Sequence, residues 1–262
     1  MSQEQRVDFT HQSAAEYAKI ELVGTYLFAA QVVWEKLLPL RGGIGCLVDF
    51  GCGAGKSTRA AARCVRPGGT VIGVDISAEM VAQAAALTKE TKTDHPDVRF
   101  IYKQIETRDG REVIPLEDGM ADAAVTTWVL QEMQSEDQLE NAVREIGRIT
   151  KKGGWFAAVC NNDANTCEDY TAFTYAPFPE NKTRKDNIVK SRSTVSGIVW
   201  EKDRFWSRGI YAGCIERAGF CIRSIEYPLA DPAKPPFPGD PSRPWKDELT
   251  FSPIMLFWCR KS

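Results

Sequence analysis

Apolar positions follow two alternating rhythms along this chain. Short apolar runs stopped by glycine or polar turn residues read as buried strands, and stretches with apolar residues three and four apart read as helices. From Ala14 to Leu40 the spacing of Ala14, Tyr17, Ile20, Val23, Leu27, Val32, Leu37 and Leu40 suits one or two amphipathic helices. Cys46-Leu47-Val48-Asp49-Phe50 reads as the first strand, and the alanine-rich stretch Lys56 to Val65 as the helix after it, ended by Arg66-Pro67-Gly68-Gly69. The pattern then repeats: strand Thr70 to Val74, polar turn Asp75 to Ser77, helix Ala78 to Lys89. Strands Val98 to Tyr102 and Asp122 to Thr127 come next, then helix Glu136 to Ile149, a Lys-Lys-Gly-Gly turn and strand Trp155 to Cys160. Strand-helix-strand units in succession imply an open, mostly parallel sheet with helices on both faces.

Periodicity disappears from Asn161 to Lys202, where polar, aromatic and basic residues mix. This region reads as an insertion, a lid or substrate-facing segment. Helix Ser207 to Ala218, strand Cys221 to Tyr227, a proline-rich loop to Ser252 and strand Pro253 to Arg260 close the chain. The expected plan is one domain over 1–262: a helical cap at 1–40, a core at 41–160, a lid at 161–206 and closing elements at 207–262.

Composition narrows the partners. A hydrophobic content of 43% supports a full core, and a net charge of −2 gives no basic field that would gather nucleic acid or anionic lipid. The apolar runs fall short of the roughly 20 residues a membrane span needs, and the first residues lack a signal-peptide stretch, so a cytosolic setting is expected. Eight cysteines form no CxxC pair, and His11 and His95 are the sole histidines, so no metal site is expected.

The most informative segment is Val48 to Thr58, because glycines between a strand and a helix let backbone approach a ligand. A phosphate-binding loop would need glycine where Phe50 stands. A dinucleotide fingerprint would use Gly51 and Gly53 but would place Lys56 where close packing wants a third glycine. The pattern acidic-x-G-x-G-x-G is met by Asp49, Gly51, Gly53 and Gly55, and Asp75 ends the next strand twenty residues beyond Gly55. Here the chain resembles the class I S-adenosylmethionine-dependent methyltransferases, most clearly from Cys46 to Cys160.

The resemblance implies a doubly wound, seven-stranded Rossmann-like sheet with S-adenosylmethionine as cofactor. It implies that Asp49 accepts from the methionine ammonium, that Gly51, Cys52 and Gly53 wrap the methionine part, and that Asp75 accepts from the ribose hydroxyls. Ile76 and Met80 would flank the adenine. The family's adenine-binding aspartate is replaced by Gln104, whose amide oxygen can still accept, with Ile105 beside it. Thr127 and Trp128 would meet cofactor and substrate at the end of the fourth strand. Without a ligand, the glycines suit a tight turn, Asp75 a helix N-cap and Trp128 a core aromatic.

Methyl transfer from a sulfonium needs approach, alignment and exclusion of water more than a triad or metal. Glu132, Gln131, Tyr17, Asp163 and His11 could accept a proton, with Glu132 and Tyr17 the leading pair. Glu132 also suits a solvated first-turn residue, and Tyr17 a packing one. Tyr170, Phe173, Tyr175, Phe178, Trp200, Phe205, Trp206 and Trp245 could wall a pocket for a flat, small substrate or pack the lid. Lys182, Arg184, Lys185, Lys190 and Arg192 could attract an anion or form a solvated loop. The whole is similar to small-molecule N- or O-methyltransferases of secondary metabolism, including toxoflavin synthase-like enzymes, acting as monomer or homodimer. A non-methylating partner protein of the same fold and an NAD(P)-dependent oxidoreductase are the alternatives.

Overall fold

The computed structural model describes residues 22–91, 94–183, 187–197, 199–237, 240 and 242–262. Tyr17, His11, Arg184 and Lys185 lie outside them. The described chain begins with helix α1 (Gly24–Leu37), followed by a 3-10 turn at Leu38–Gly43. Strand β1 (Cys46–Phe50), helix α2 (Lys56–Ala61), β2 (Thr70–Asp75), α3 (Ala78–Glu90) and β3 (Arg99–Gln104) follow. A hairpin of β4 (Glu106–Arg108) and β5 (Arg111–Val113) precedes β6 (Ala121–Thr127), α4 (Glu136–Ile149) and β7 (Thr150–Asn161).

The main sheet runs β3-β2-β1-β6-β7-β12-β11, with β11 (Phe220–Glu226) and β12 (Ile254–Lys261) at one side. The five strands from β3 to β7 pair in parallel, and β12 runs antiparallel to both neighbours. This is the seven-stranded, mostly parallel arrangement expected. Side-chain alternation divides it into two buried layers. Leu47, Val71, Val125, Ala157 and Val159 pack with Val33 and Leu37 of α1. Val48, Phe50, Ile72, Val74 and Phe156 pack with Ile146 of α4 and Tyr211 of α5 (Arg208–Arg217). Central strands buried on both faces explain the unbroken apolar runs.

Local chemistry sets the helix starts. Ser77, Ser135 and Ser207 cap α3, α4 and α5, each hydroxyl accepting from an N–H three residues on. Helix α2 is shorter than its apolar spacing suggests, because Ala62–Cys64 tightens into a 3-10 turn before Pro67. Strand β7 is longer: the ladder reaches Thr150, and the Lys-Lys-Gly-Gly segment becomes a bulge with Gly153 at φ 73° rather than a turn outside the strand.

Between β7 and α5 the chain builds a second sheet, β10-β9-β8, from β8 (Phe173–Thr174), β9 (Ile188–Ser193) and β10 (Val199–Arg204), all antiparallel. Glu248 ties this region to α1. Fully buried, its carboxylate Oε1 accepts from Thr25 Oγ1 (2.6 Å), Thr171 N (2.7 Å) and Thr171 Oγ1 (2.7 Å), and its Oε2 from Lys246 N (3.1 Å). Helix start, lid and proline-rich loop therefore meet on one side chain. Among the described residues, no helix is long and apolar enough to cross a membrane.

Replacing Glu248 with Ala strands these buried donors and should lower stability by about 3 kcal/mol in urea unfolding. Hydrogen exchange should rise first at residues 24–28 and 171–174, and an unchanged pattern there would show that the tie is not structural.

Candidate active site

In an open parallel sheet the crevice forms at the carboxyl ends of the strands, where the order reverses. Here the order departs in opposite directions from β1, to β2 on one side and β6 on the other, so the crevice opens beyond Phe50 and Thr127. The chain leaving β1 turns at once: Gly51, Gly53 and Gly55 stand at φ 74°, 49° and 78°, the left-handed region that favours glycine. Gly51 N and Cys52 N both donate to Val74 O, at 2.8 and 3.0 Å, and Gly53 N donates to Asp75 Oδ2 at 2.8 Å. The turn is thus fastened to the end of β2.

Asp49 lies buried beneath it, its Oδ2 accepting from Ser57 Oγ (2.8 Å) and Thr58 Oγ1 (2.6 Å) of α2. Burial raises its carboxyl above the usual carboxylate range, against the pull of those two hydroxyls, and the nearby Asp75 charge adds to the rise. Asp75 accepts from Gly53 N on one oxygen and Ser77 N (3.0 Å) on the other. Its carboxyl is also raised, first by burial, with backbone N–H groups of Ser77, Gly53 and Ile76 opposing. The Cys52 thiol is pushed well up by burial and then by these two acids, which marks it as an uncharged lining group.

The remaining predicted residues gather around this cradle. Ile76 is exposed just past β2, and Met80 is buried in the first turn of α3. Gln104 pairs in register with Asp75, and its Nε2 donates to Ile76 O at 3.1 Å, which leaves the amide oxygen as the free acceptor. Ile105 is buried next to it and its N–H donates to Asp75 O. Thr127 ends β6, and Trp128 follows at φ 63°, an unusual conformation for a bulky residue, held by Trp128 N donating to Val159 O. Gly51 is pressed from this side, since a Cβ on it would sit 2.2 Å from Val129 Cγ2.

Glu132 ends a 3-10 turn, Leu130–Glu132, directly after β6. Its carboxyl is pushed up to about 6 by burial, a rise that a hydrogen bond with Asp203 of β10 partly offsets. Asp203 was not singled out by sequence reasoning, because a lone aspartate in an aperiodic segment carries no signal. Asp163, by contrast, spends its Oδ2 on the N–H of Arg208 at the start of α5.

The aromatic residues divide. Tyr170, Phe173, Tyr175 and Phe205 form a buried cluster, edge to face at 5.3 to 6.3 Å, so they chiefly pack the lid. Trp206 joins the main core, and Trp245 packs on Phe28 while its indole N–H donates to loop carbonyls. Among the described aromatic residues, Trp128 bridges the segment after β7 and the crevice, with its ring 5.3 Å from Phe173 and 6.4 Å from Tyr26, a residue missed in the sequence because its helix face gave no sign of the site. Among the basic residues, Lys190 pairs with Glu180 and Arg192 lies over Phe178, so neither is a free anion seat.

Comparison with known proteins bears on this geometry. Residues 48–158 match the family described as methyltransferase domain. Over this span the chain is similar to methyltransferase domains. The matched span runs from the acid-bearing strand through Ala158 of β7. An arsenite methyltransferase of Aquipseudomonas alcaligenes is 33% identical over 115 residues, covering 42% of this chain and 31% of that protein. An uncharacterized 37.1 kDa protein in transposon TN4556 of Streptomyces fradiae is 38% identical over 107 residues, covering 41% of this chain and 27% of that one. The similarity thus spans about a third or less of the length of these curated relatives. The crystal structure of an S-adenosylmethionine-dependent methyltransferase from Mesorhizobium loti superposes with a TM-score of 0.58 at 20% identity, covering 89% of this chain and 98% of that one, a likeness of fold.

The glycine cradle makes two stability tests specific. Gly51→Ala must move either Val129 or the turn, and should cost at least about 2 kcal/mol in thermal unfolding. Glu132 favours its protonated form in the folded state, so its contribution is fully present below pH about 4.5 and is lost as pH rises through about 6. Glu132→Gln should therefore gain stability relative to the parent over that window, by up to about 2 kcal/mol; a difference that is flat with pH would contradict the shift.

Proposed function

We propose that the chain transfers a methyl group from S-adenosylmethionine to a nitrogen or oxygen of a small, planar aromatic or heteroaromatic metabolite. The observation that carries this is the pairing of two acids, the buried Asp49 and the half-buried Asp75, with a left-handed glycine turn between them. The fit to the cofactor is chemical. Carboxylates accept from an ammonium and from a sugar diol, a carboxylate retains lone pairs beyond the single N–H that each Asp75 oxygen receives, and Gly51 keeps the approach open where a Cβ would collide. Asp49 would face the methionine ammonium and Asp75 the ribose, with Gly51, Cys52 and Gly53 along the methionine part. Ile76, Met80, Gln104 and Ile105 would surround the adenine.

The bound cofactor supplies an electrophilic methyl group on a sulfonium. The protein's own part is positional: Thr127 and Trp128 border the acceptor side, the lid aromatics exclude water, and Glu132 takes the proton that the acceptor releases. Tyr17 is the other candidate proton acceptor. We further read the protein as cytosolic, as a monomer or homodimer, as acting in secondary metabolism, and as having no nucleic acid partner; the net charge of −2 supports the last reading.

Calorimetry with S-adenosylhomocysteine should give micromolar binding. Asp75→Asn should weaken it about tenfold or more, and replacing Asp49 and Asp75 together with Asn should abolish it. Unchanged affinity in the double variant would refute the assignment, and NADH binding in its place would favour an oxidoreductase.

A further inference from the structure

Tyr102 of β3 lies against the glycine turn. Its partner across the sheet is Gly73 of β2, and a Cβ there would sit 2.7 Å from Tyr102 Cδ1 and 2.9 Å from Cys52 Sγ. The ring therefore fills the space that a side chain on β2 would take, beside Cys52. Its hydroxyl reaches on to Gly55, where a Cβ would meet Tyr102 Oη at 2.8 Å, Arg59 Nη1 at 2.9 Å and Ala84 Cβ at 3.0 Å. One side chain thus lies against both halves of the turn.

A chain of hydrogen bonds continues from that hydroxyl. Tyr102 Oη and Thr88 Oγ1 of α3 stand 2.8 Å apart, Arg59 Nη1 of α2 donates to Thr88 Oγ1 at 3.4 Å, and the same Nη1 donates to Ala54 O at 3.0 Å. That carbonyl belongs to the peptide joining Ala54 to Gly55, so β3, α3 and α2 hold one peptide plane between them. Burial raises the Tyr102 phenol above its ordinary value, with Thr88 and the Arg59 charge opposing and the Cys52 and Asp49 charges adding, so the hydroxyl keeps its proton near neutral pH.

Glycine has more backbone freedom to lose than any other residue, and a ligand that must itself order a glycine turn gives up affinity in doing so. The bonds to β2 hold the first half of this turn, Gly51 to Gly53. We propose that Tyr102 is a positioning residue: acting through Thr88 and Arg59, it fixes the second half of the turn in the shape that receives the amino-acid end of the cofactor. The inference rests on the methyl-transfer reading for the identity of that cofactor. Tyr102 acts through the turn, not on the reacting atoms.

Calorimetry on the full chain compares S-adenosylhomocysteine with methylthioadenosine, which shares the adenine, ribose and thioether but lacks the amino-acid end. Tyr102→Phe removes only the hydroxyl, and should weaken S-adenosylhomocysteine about fivefold while changing methylthioadenosine by less than about twofold. Thr88→Val, close in shape, should do the same, and Thr88→Ser, which keeps the hydroxyl, should retain the parent ratio. Because the two groups act in one chain, the double variant Tyr102→Phe, Thr88→Val should lose no more than either alone. A merely structural role would weaken both ligands alike. Without ligand, amide hydrogen exchange at residues 53–57 should quicken in Tyr102→Phe and Thr88→Val but not in Thr88→Ser. Should Tyr102→Phe fail to fold, the two Thr88 variants still decide. An unchanged ligand ratio, parallel loss of both ligands, or unchanged exchange at the turn would each overturn the proposal. A parent chain that binds neither ligand would instead refute the methyltransferase reading, and exchange at the turn alone would then judge whether Tyr102 braces it.

Discussion

Everything at the working edge depends on how the chain leaves β1. A strand buried on both faces ends at Phe50, and the next residue must reverse direction with no room for a side chain against Val129. Left-handed backbone at Gly51 solves the steric problem, and the donated hydrogens of Gly51, Cys52 and Gly53 then land on the end of β2. That fastening brings Asp49 and Asp75, which belong to different strands, to the two sides of one cradle. Their burial raises both carboxyls, so the cradle is primed for hydrogen-bond donors and a positive charge.

The core of this arrangement was legible in the sequence because its signals are local. Strands β1, β2 and β6, helices α3 and α4 and the acidic-glycine motif each follow from spacing and turn chemistry within a dozen residues. The strands of the second sheet were not legible, and β9 shows why. Its inward positions are Val189, Ser191 and Ser193, so the alternation that marks a half-buried strand is carried by small polar residues that look like a loop. The hairpin β4–β5 did carry a sign, the Asp109-Gly110 pair, both at positive φ, as a two-residue hairpin turn prefers.

The candidate site divides along the same line. Asp49, Gly51, Cys52, Gly53, Asp75, Gln104 and Glu132 sit near strand ends, where motif and topology place them. Asp203 and Tyr26 reach the crevice only through tertiary packing, across long stretches of chain. The aromatic residues after β7 look like pocket walls in a sequence, yet most of the described ones satisfy one another edge to face, and Trp128 turns toward the crevice.

The knot at Glu248 bears on how anything enters. One carboxylate holds the first turn of α1, the lid at Thr171 and the proline-rich loop, while Trp128 leans on Tyr26 and Phe173 from the same two directions. A hinge confined to the lid would have to break that knot. Three distant chain segments are therefore tethered through one side chain, so that a change at any of them is felt by the other two.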